Sequence, residues 1–297
     1  MAATIAVGST VHHPLMAALP RWRGVPENDY LYDIAGTGIL YDYMPDFMPA
    51  RPRYAPGIAI EPELPQCDEE YLEWIDVIEA VQRAQGTFTM IELGAGFGRW
   101  IARGAALARR RDLRVRLVGI EADPTHFRWM REHLGYNGVA LADCELIQAA
   151  VTADGQKVKF YSGDADAWYG QAIAHRNDTV GTAGTSGRAK AEVIWVDGVS
   201  LQSVLARYER VDLIDLDVQG AEFDVLFAAA DELNRRVRRV HIGTHGAGIE
   251  EDLRFLFTVH GWTCITDYGC GTTADTPYGR VAFGDGIQTW LNPRLQP

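Results

Sequence analysis

The sequence lacks any apolar stretch approaching the about 20 residues that a membrane-spanning helix needs, and it is poor in cations. Its 28 lysines and arginines stand against 40 aspartates and glutamates, which leaves a net charge of −12. A strongly acidic surface repels nucleic acids and anionic lipids. We therefore expect neither a nucleic acid nor a membrane as a partner. A small molecule is the expected ligand, bound by a monomer or a homo-oligomer.

Cysteine is also scarce, and its spacing does not fit the usual zinc motifs. The four cysteines, at positions 67, 144, 264 and 270, form no C-x-x-C pair, so we expect reduced thiols. The N-terminal stretch MAATIAVGSTVHHPLMAALP has neither the positive leader nor the continuous apolar segment of a signal peptide. These features predict a cytoplasmic protein.

Composition and periodicity divide the chain into two parts. Residues 1–65 hold 9 of the 13 prolines and a tyrosine-rich patch, which predicts an N-terminal extension that serves as a lid or an interface. Over residues 66–297, strands and helices alternate, which is typical of an α/β domain with a parallel sheet covered on both faces. Residues 157–196 break the alternation and predict an insertion.

The elements of this domain follow from runs of apolar residues and from helical spacing. Helices are predicted at 68–85, 99–109, 124–134, 200–209, 220–234 and 249–260. Strands are predicted at Thr87–Leu93, Arg114–Glu121, Glu145–Val151, Val211–Asp217, Arg238–Gly243, Trp262–Thr266 and Arg280–Trp290. The last strand contains the sequence GDG, so we expect it to bend and to end antiparallel.

The segment IELGAGFGRW, residues 91–100, places a glycine-rich turn between the first of these strands and a helix. Glycines at 94, 96 and 98 remove side chains, so a ligand can approach bare backbone. We predict that Glu92, Gly94, Ala95, Gly96 and Gly98 bind a cofactor.

Three ligands are candidates for this turn. A P-loop would offer a lysine and a serine or threonine where this chain has Arg99 and Trp100. The dinucleotide pattern G-x-G-x-x-G places its third glycine one residue later than Gly98. S-adenosylmethionine has no phosphate, and its amino-acid end and ribose need bare backbone. The spacing favours S-adenosylmethionine, with Glu92 supplying negative charge near its ammonium and sulfonium groups.

The next strand ends in RLVGIEADP, which places an acid at the tip of a second strand. Glu121 can accept hydrogen bonds from both ribose hydroxyls, with Ala122 beside it. The alternative is that Glu121 or Asp123 caps the helix that begins near Pro124. We expect Asp123 to be the cap and Glu121 to bind the cofactor.

A second cluster of acids ends the strand in VDLIDLDVQGAEFDVL, residues 211–226. Asp215 and Asp217 are two positions apart and share one face of the strand. Buried carboxylates need a partner, and ligands bind at the carboxyl edge of such a sheet. We expect both aspartates at the site, although Asp217 has the alternative of capping the next helix.

The stretches IELGAGFG, GIEADP and above all VDLIDLDVQGAEFDVL resemble the FkbM family of S-adenosylmethionine-dependent methyltransferases. The preceding VDGVSLQSVLARYERVD is similar to the family's lead-in, and the likeness covers roughly residues 87–265. The resemblance implies a Rossmann-like class I methyltransferase fold with a mostly parallel seven-stranded sheet and helices on both faces. It also implies methylation of a hydroxyl group, often on a sugar or a natural product.

Catalysis by such an enzyme requires removal of the hydroxyl proton. His245 follows the strand in RRVHIGTHGAG, and histidine titrates near neutral pH, so we predict His245 as general base with Asp217 orienting it or the acceptor. Alternatively, Asp215 and Asp217 could hold Mg²⁺ or another divalent cation that binds the acceptor.

The acceptor itself is expected to contact the insertion. Trp168, Tyr169 and Gln171 offer flat rings and a polar group of the kind that binds sugars and polyketides. Three other functions stay open at this point. They are an N-methyltransferase acting on an amino sugar, a non-catalytic module that binds S-adenosylmethionine or a nucleotide, and a nicotinamide-dependent oxidoreductase.

Overall fold

The computed structural model describes residues 11–45, 50–165, 168, 171–181, 183–186 and 189–295, with the backbone alone at 183–186, 189 and 190. The longer helices carry clear start signals. Asp68 caps the second helix through the backbone N–H of Tyr71, and Asp123 caps the fourth. The helices are α1 (Pro14–Ala18), α2 (Glu69–Arg83), α3 (Arg99–Arg109), α4 (Pro124–Tyr136), α5 (Leu201–Leu205), α6 (Glu222–Ala228), α7 (Ala230–Arg236) and α8 (Ala247–Val259).

Most of the predicted strands form at or near their expected bounds. The strands are β1 (Tyr30–Tyr32), β2 (Gly38–Leu40), β3 (Thr87–Leu93), β4 (Arg114–Glu121), β5 (Cys144–Gln148), β6 (Ala150–Val151), β7 (Val158–Gly163), β8 (Ala172–Ile173), β9 (Ala183–Ser186), β10 (Ala189–Val196), β11 (Gly198–Val199), β12 (Leu213–Leu216), β13 (Arg239–Thr244), β14 (Thr263–Tyr268), β15 (Thr273–Thr276), β16 (Gly279–Ala282) and β17 (Gly286–Leu291).

The central sheet has seven strands in the order β14-β17-β13-β12-β3-β4-β5. Neighbours from β13 to β5 are parallel, whereas β17 runs antiparallel to both β13 and β14. This arrangement confirms the class I methyltransferase fold, with its mostly parallel sheet. It also brings the ends of β3, β4, β12 and β13 to one edge.

Several predicted elements are divided in the structure. The segment predicted as one strand over 280–290 forms β16 and β17, because the GDG sequence turns the chain between them. The helix predicted over 220–234 is two helices that meet at Ala229. The 145–151 strand stops at Gln148, and β6 then pairs with β11 in a separate two-stranded sheet.

The insertion predicted over 157–196 folds as its own small antiparallel sheet. Its strand order is β8-β7-β10-β9, and β10 pairs with β7 over six residues from Ala191 to Val196. The described part of the N-terminal extension packs on the domain. Met16 and Ile34 join its core, and the Gly38 N–H donates to Asn137 Oδ1 over 2.8 Å at the end of α4.

Both faces of the central sheet are buried, and side-chain alternation along the strands sorts residues between two cores. Met90 and Leu213 lie in the core with α2, α3 and α4, whereas Ile91 and Ile214 lie in the core with α5 to α8. Along these strands, the polar residues that alternate with Ile91 and Ile214 therefore face the other side of the sheet, which α2 and α3 cover.

None of the described helices has the length and apolar character needed to cross a membrane.

The tightest backbone approach in this sheet generates a stability prediction. A Cβ at Gly94, where φ is +74°, would lie 1.8 Å from the carbonyl oxygen of Asp217. The Cα of Gly94 and the carbonyl oxygen of Asp217 both belong to the backbone at neighbouring strand tips, so neither can move aside. Gly94→Ala should therefore destabilise the protein by about 2 to 4 kcal/mol, measured from urea unfolding midpoints.

A matched control comes from Gly248 in α8, where a Cβ would meet nothing within 4 Å. Gly248→Ala should leave the free energy of unfolding unchanged or raise it by up to about 1 kcal/mol, since alanine favours helices. Equal stability of Gly94→Ala and wild type would show that the two strand tips are not in contact.

Candidate active site

The glycine turn after β3 is fixed to the strands on both sides of it. Gly94, Gly96 and Gly98 all have positive φ angles, of 74°, 53° and 72°, and glycine adopts this region without strain. The N–H groups of Gly94 and Ala95 donate to the carbonyl oxygen of Ile120 over 3.0 and 2.9 Å. Gly98 is the N-cap of α3, and its bare Cα packs against the Met130 side chain.

The exposed face of Gly96 is partly covered by an aromatic ring. A Cβ there would lie 2.6 Å from Cζ3 of Trp168. The Trp168 indole stacks on the His126 ring at a centroid distance of 4.2 Å, and its Nε1 donates to the carbonyl oxygen of Tyr43 over 2.9 Å. Gly96 is therefore needed for packing of this ring as well as for access to the backbone.

Glu92 is buried next to the start of α3. Its carboxylate accepts hydrogen bonds from the backbone N–H groups of Trp100 and Ile101, over 3.3 and 3.0 Å. These are orphan donors of a helix N-terminus, so Glu92 anchors the glycine turn to the helix. Burial and the nearby Asp215 carboxylate raise the pKa of Glu92 to about 8.

Glu121 lies directly against the glycine turn. Its Oε2 accepts a hydrogen bond from the Gly96 N–H and its Oε1 from the Asp123 N–H, both over 2.7 Å. Burial raises the pKa of Glu121 to about 7, against the lowering effect of these donors. Asp123 caps α4 by accepting from the N–H groups of Thr125 and His126. The assignment of the cap to Asp123 is confirmed.

Two pockets adjoin at this edge of the sheet. The first, which we term the apolar pocket, places the Glu121 carboxylate among nonpolar side chains. Its walls include Ile120, Ala122, Ala149, Val151, Phe160 and Ile173. A flat nonpolar wall beside an acid suits a nucleoside, which has a base to pack and ribose hydroxyls to bind.

The second pocket, which we term the acidic pocket, carries carboxylates from several elements and one arginine, Arg99. Its acids are Glu69, Glu70, Glu73, Glu92, Asp215, Asp217 and Asp285. Arg99 is itself paired with Glu70 at 2.8 Å. The two pockets share Gly94, Gly96, Trp168, Asp217 and Gln219. A ligand with a nucleoside at one end and a cationic group at the other could therefore span both.

The register of three parallel strands aligns a row of polar residues on the floor of the acidic pocket. Asp215 is paired with Glu92 on β3 and with His241 on β13. A hydrogen bond joins Asp215 to Glu73 of α2, and burial and Asp215 raise the pKa of Glu73 well above its usual value. Burial raises the pKa of Asp215 to about 6, against the lowering effect of His241.

His241 belongs to this row but faces a buried structural network. Its Nδ1 lies 2.7 Å from Oδ2 of Asp76, which also accepts from Thr289 over 2.5 Å. Asp76 is additionally paired with the buried Arg239. Asp76 outweighs the opposing effect of burial and raises the pKa of His241. The expectation that His241 lines the sheet is consistent with this placement.

Asp217 and His245 lie side by side at the rim of the acidic pocket, because they follow the ends of the neighbouring strands β12 and β13. His245 Nε2 is 3.5 Å from Oδ1 of Asp217 and 3.6 Å from Oδ1 of Asp285, and its Nδ1 is 2.7 Å from Oε1 of Glu222. Burial lowers the pKa of His245, but Glu222, Asp217 and Asp285 together raise it to about 9. Asp217 caps no helix, because Ala221 stands at the N-cap of α6.

The two aspartates expected to share a metal ion lie in different groups. Among the described residues, Asp215 clusters with Glu73 and His241, whereas Asp217 clusters with Glu222 and His245. Asp215 is buried within the row, and the Asp217 side chain is 54% exposed at the rim. The geometry favours separate roles for the two carboxylates.

The three residues predicted to contact an acceptor have different placements. Trp168 lines both pockets, and Gln171 lines the apolar pocket, with its Nε2 donating to the carbonyl oxygen of Asp164 over 3.2 Å. Tyr169 lies outside the described residues. Met44, from the N-terminal extension, lines the acidic pocket beside Arg99.

Residues at the site that were not found from the sequence include Glu73, Gln219, Glu222 and Asp285. Gln219 has a left-handed φ of 52°, and its side chain donates to Oδ1 of Asp217 over 2.8 Å. Glu222 is fully buried on α6 together with Val225 and Leu226. The sequence signal for Glu222 is an acid three and four positions before Val225 and Leu226, a spacing that places it on the buried face of the helix.

The chain is similar in sequence to known methyltransferases. The Methyltransferase FkbM domain matches residues 92–257, which is more than half of the chain. A protein of Jannaschia sp. (strain CCS1) that carries a provisional methyltransferase name is 25% identical over 229 residues, covering 75% of this chain and 79% of that protein.

Solved structures show weaker similarity. A methyltransferase FkbM from Methylobacillus flagellatus KT is 13% identical, with a TM-score of 0.45, over 75% of this chain and 50% of that one. A precorrin-6y C5,15-methyltransferase from Geobacter metallireducens GS-15 is 11% identical, with a TM-score of 0.39, over 74% of this chain and 86% of that one.

Proposed function

The chain belongs to the FkbM family and is an S-adenosylmethionine-dependent methyltransferase, and we propose that it methylates a hydroxyl group on a sugar or another small natural product. The observation that carries the proposal is the placement of Asp217 and His245. Asp217 lies at the boundary of the two pockets, with His245 beside it. An acceptor oxygen bound there would lie next to the glycine turn.

The residues at the two pockets fit S-adenosylmethionine. In this proposal the apolar pocket takes the adenosine, with Glu121 and Ala122 at the ribose. The acidic pocket takes the amino-acid end, with Arg99 suited to its carboxylate and Glu92 and Asp215 to its ammonium group. Gly94, Ala95 and Gly96 present backbone between them, and Gly98 holds the turn in place. Bound S-adenosylmethionine supplies an electrophilic methyl group on a sulfonium sulfur.

The acceptor is proposed to enter past Trp168, whose ring separates the two pockets, with Gln171 and Tyr169 as further contacts. At the rim, Asp217 and His245 are placed to orient the acceptor hydroxyl and to promote loss of its proton. They can do so by holding a divalent cation, or with His245 as general base in the fraction of molecules that carry it neutral; its pKa of about 9 keeps that fraction small at pH 7, so the expectation that it titrates near neutrality is corrected. The reducing compartment implied by four free cysteines supports a cytoplasmic enzyme.

One observation favours a second candidate, an N-methyltransferase acting on an amino sugar. Seven carboxylates and one paired arginine line the acidic pocket, and such a pocket attracts a cationic acceptor. The ammonium form of a primary amine has no lone pair, so it would have to lose a proton before it attacked a methyl group, and the rim carboxylates could accept that proton.

Mass spectrometry of acceptors incubated with methyl-labelled S-adenosylmethionine tests the proposal. A panel of glycosides and their amino-sugar counterparts should yield a labelled methyl ether on a hydroxyl compound. Labelling of the amino sugars alone would replace the proposal with the N-methyl alternative. Absence of labelling across the panel, with S-adenosylmethionine bound, would contradict both acceptor classes.

The raised pKa of Glu121 predicts that cofactor affinity depends on pH. Only the carboxylate can accept hydrogen bonds from both ribose hydroxyls, and a pKa of about 7 makes that form dominant above neutrality. Affinity for S-adenosylmethionine should therefore rise by about tenfold between pH 6 and pH 8, measured by isothermal titration calorimetry.

The variant Glu121→Gln removes the titrating group and keeps the shape of the side chain. It should bind the cofactor weakly at both pH values and show a smaller rise between them, because Glu92, with a pKa of about 8, and Asp215, with a pKa of about 6, still titrate in the acidic pocket. A wild-type affinity for Glu121→Gln, with the same rise between pH 6 and pH 8, would exclude Glu121 as the ribose ligand.

Removal of His245 or Asp217 should slow the reaction without weakening cofactor binding. His245→Ala and Asp217→Ala are each expected to lower kcat by about 10²- to 10⁴-fold, because acceptor activation is lost. The dissociation constant of S-adenosylmethionine should change less than about threefold. His175→Ala, an exposed histidine that lines neither pocket, is the control and should keep wild-type turnover. Wild-type turnover by both rim variants would rule out this acceptor site.

A further inference from the structure

One acid of the acidic pocket comes from α2, a helix that lies before the glycine turn and before the segment that matches the family domain. This helix packs against β12 and β13, and its residues Leu72 and Trp74 are buried in the core. Between these two residues, Glu73 lines the acidic pocket. The part of the chain that precedes the matched domain therefore contributes a charged group to the site.

Glu73 meets two other carboxyl groups in this pocket. Asp215 of β12 lies opposite Glu92 of β3 in the parallel register, and a hydrogen bond joins Asp215 to Glu73. One oxygen of Glu73, one oxygen of Asp215 and a ring nitrogen of His241 all lie within 4.8 Å of one another. Glu92 and Asp215 are both buried. Three acids from three separate elements thus converge beneath the glycine turn.

Two basic side chains line the same pocket, and each forms its ion pair with a different acid. Arg99 pairs with Glu70 over 2.8 Å, and His241 Nδ1 lies 2.7 Å from Oδ2 of Asp76. Burying carboxylates without a paired cation is costly. The three converging acids therefore form a group that a cation supplied by a ligand would stabilise.

An ammonium group has the donors and the charge that these acids need. It carries three N–H donors and one positive charge, whereas an ionised carboxylate can only accept. Glu73 and Asp215 are hydrogen-bonded to each other and so share a proton. An ammonium group that donates to both carboxylates can take the place of that proton, which passes to water. Such charge-assisted hydrogen bonds are about twice as strong as neutral ones.

We propose that Glu73 binds the ammonium group of S-adenosylmethionine together with Glu92 and Asp215, and that it thereby determines specificity for the cofactor. This inference rests on the proposed function, which places the amino-acid end of the cofactor in the acidic pocket. Arg99 is the residue suited to the carboxylate of that end, so different side chains recognise its two charges. Glu73 lines the acidic pocket and not the apolar pocket, so its contribution is independent of the adenosine.

Two analogues of S-adenosylhomocysteine separate the two charges of the amino-acid end. The aminopropyl thioether of adenosine keeps the ammonium group and lacks the carboxylate. The carboxypropyl thioether keeps the carboxylate and lacks the ammonium group. Binding of each ligand to full-length protein is measured by isothermal titration calorimetry at constant pH, without an acceptor, so an amino-sugar acceptor cannot supply the ammonium group. A general loss of structure would weaken both analogues, whereas loss of an ammonium contact weakens only one.

Glu73→Gln should weaken binding of S-adenosylhomocysteine and of the aminopropyl analogue by about 10- to 100-fold, because it removes a hydrogen bond between charged groups. Its affinity for the carboxypropyl analogue should stay at the wild-type value. The glutamine amide can still donate to Asp215, which preserves the contact between the two side chains. Glu251→Gln, the same change at an exposed position of α8, should bind all three ligands like wild type.

The outcomes separate this inference from the proposed function. Equal weakening of both analogues by Glu73→Gln, or a wild-type affinity for S-adenosylhomocysteine, would overturn the role of Glu73. If that result comes while Glu121→Gln weakens cofactor binding and a hydroxyl compound is methylated, the proposed function stands without Glu73. If the loss is confined to the ammonium-bearing ligands but no hydroxyl compound is methylated, the role of Glu73 stands and the proposed function does not.

Discussion

The glycine turn and the tip of β12 are joined through their backbones, and the geometry of the site depends on that contact. The Asp217 N–H donates to the carbonyl oxygen of Leu93 over 2.9 Å, and its own carbonyl lies where a Cβ of Gly94 would be. On the other side, Gly94 and Ala95 donate to Ile120 of β4. The turn is therefore held between two strand tips. One tip carries Glu121 and the other carries Asp217, so the residues proposed to bind the cofactor and those proposed to bind the acceptor have a fixed separation.

Strand register then decides which charges meet beneath this turn. Glu92, Asp215 and His241 are adjacent in the sheet because β3, β12 and β13 are parallel and in register. Burying such a row is costly unless the groups pair or hold protons. Helix α2 supplies the partners, Glu73 for Asp215 and Asp76 for His241. The helix that precedes the glycine motif is thus part of the site as well as part of the core.

Local signals were sufficient to predict the half of the site built from one strand and the turn that follows it. The apolar runs before the glycine turn and before Ala122 predicted β3 and β4 at their observed bounds, and Asp123 was identified as the α4 cap from its position. Residues brought in by tertiary contacts could not be predicted in this way. Asp285 lies in the turn before β17, and only the antiparallel return of that strand places it beside His245. Asp215 and Asp217 were expected to act as a pair, and the structure places them in separate clusters. Two carboxylates on the same face of a strand can differ in depth. Here Asp215 is buried in the row with Glu92 and His241, whereas Asp217 lies at the rim of the acidic pocket.

A crystal structure with S-adenosylhomocysteine, the product left after methyl transfer, tests the central claim most directly. The account predicts that both ribose hydroxyls lie within hydrogen-bond distance of the Glu121 carboxylate. It also predicts that the sulfur faces the rim formed by Asp217 and His245. An adenosyl group bound away from the Gly94–Gly98 turn, or a sulfur directed away from that rim, would contradict it.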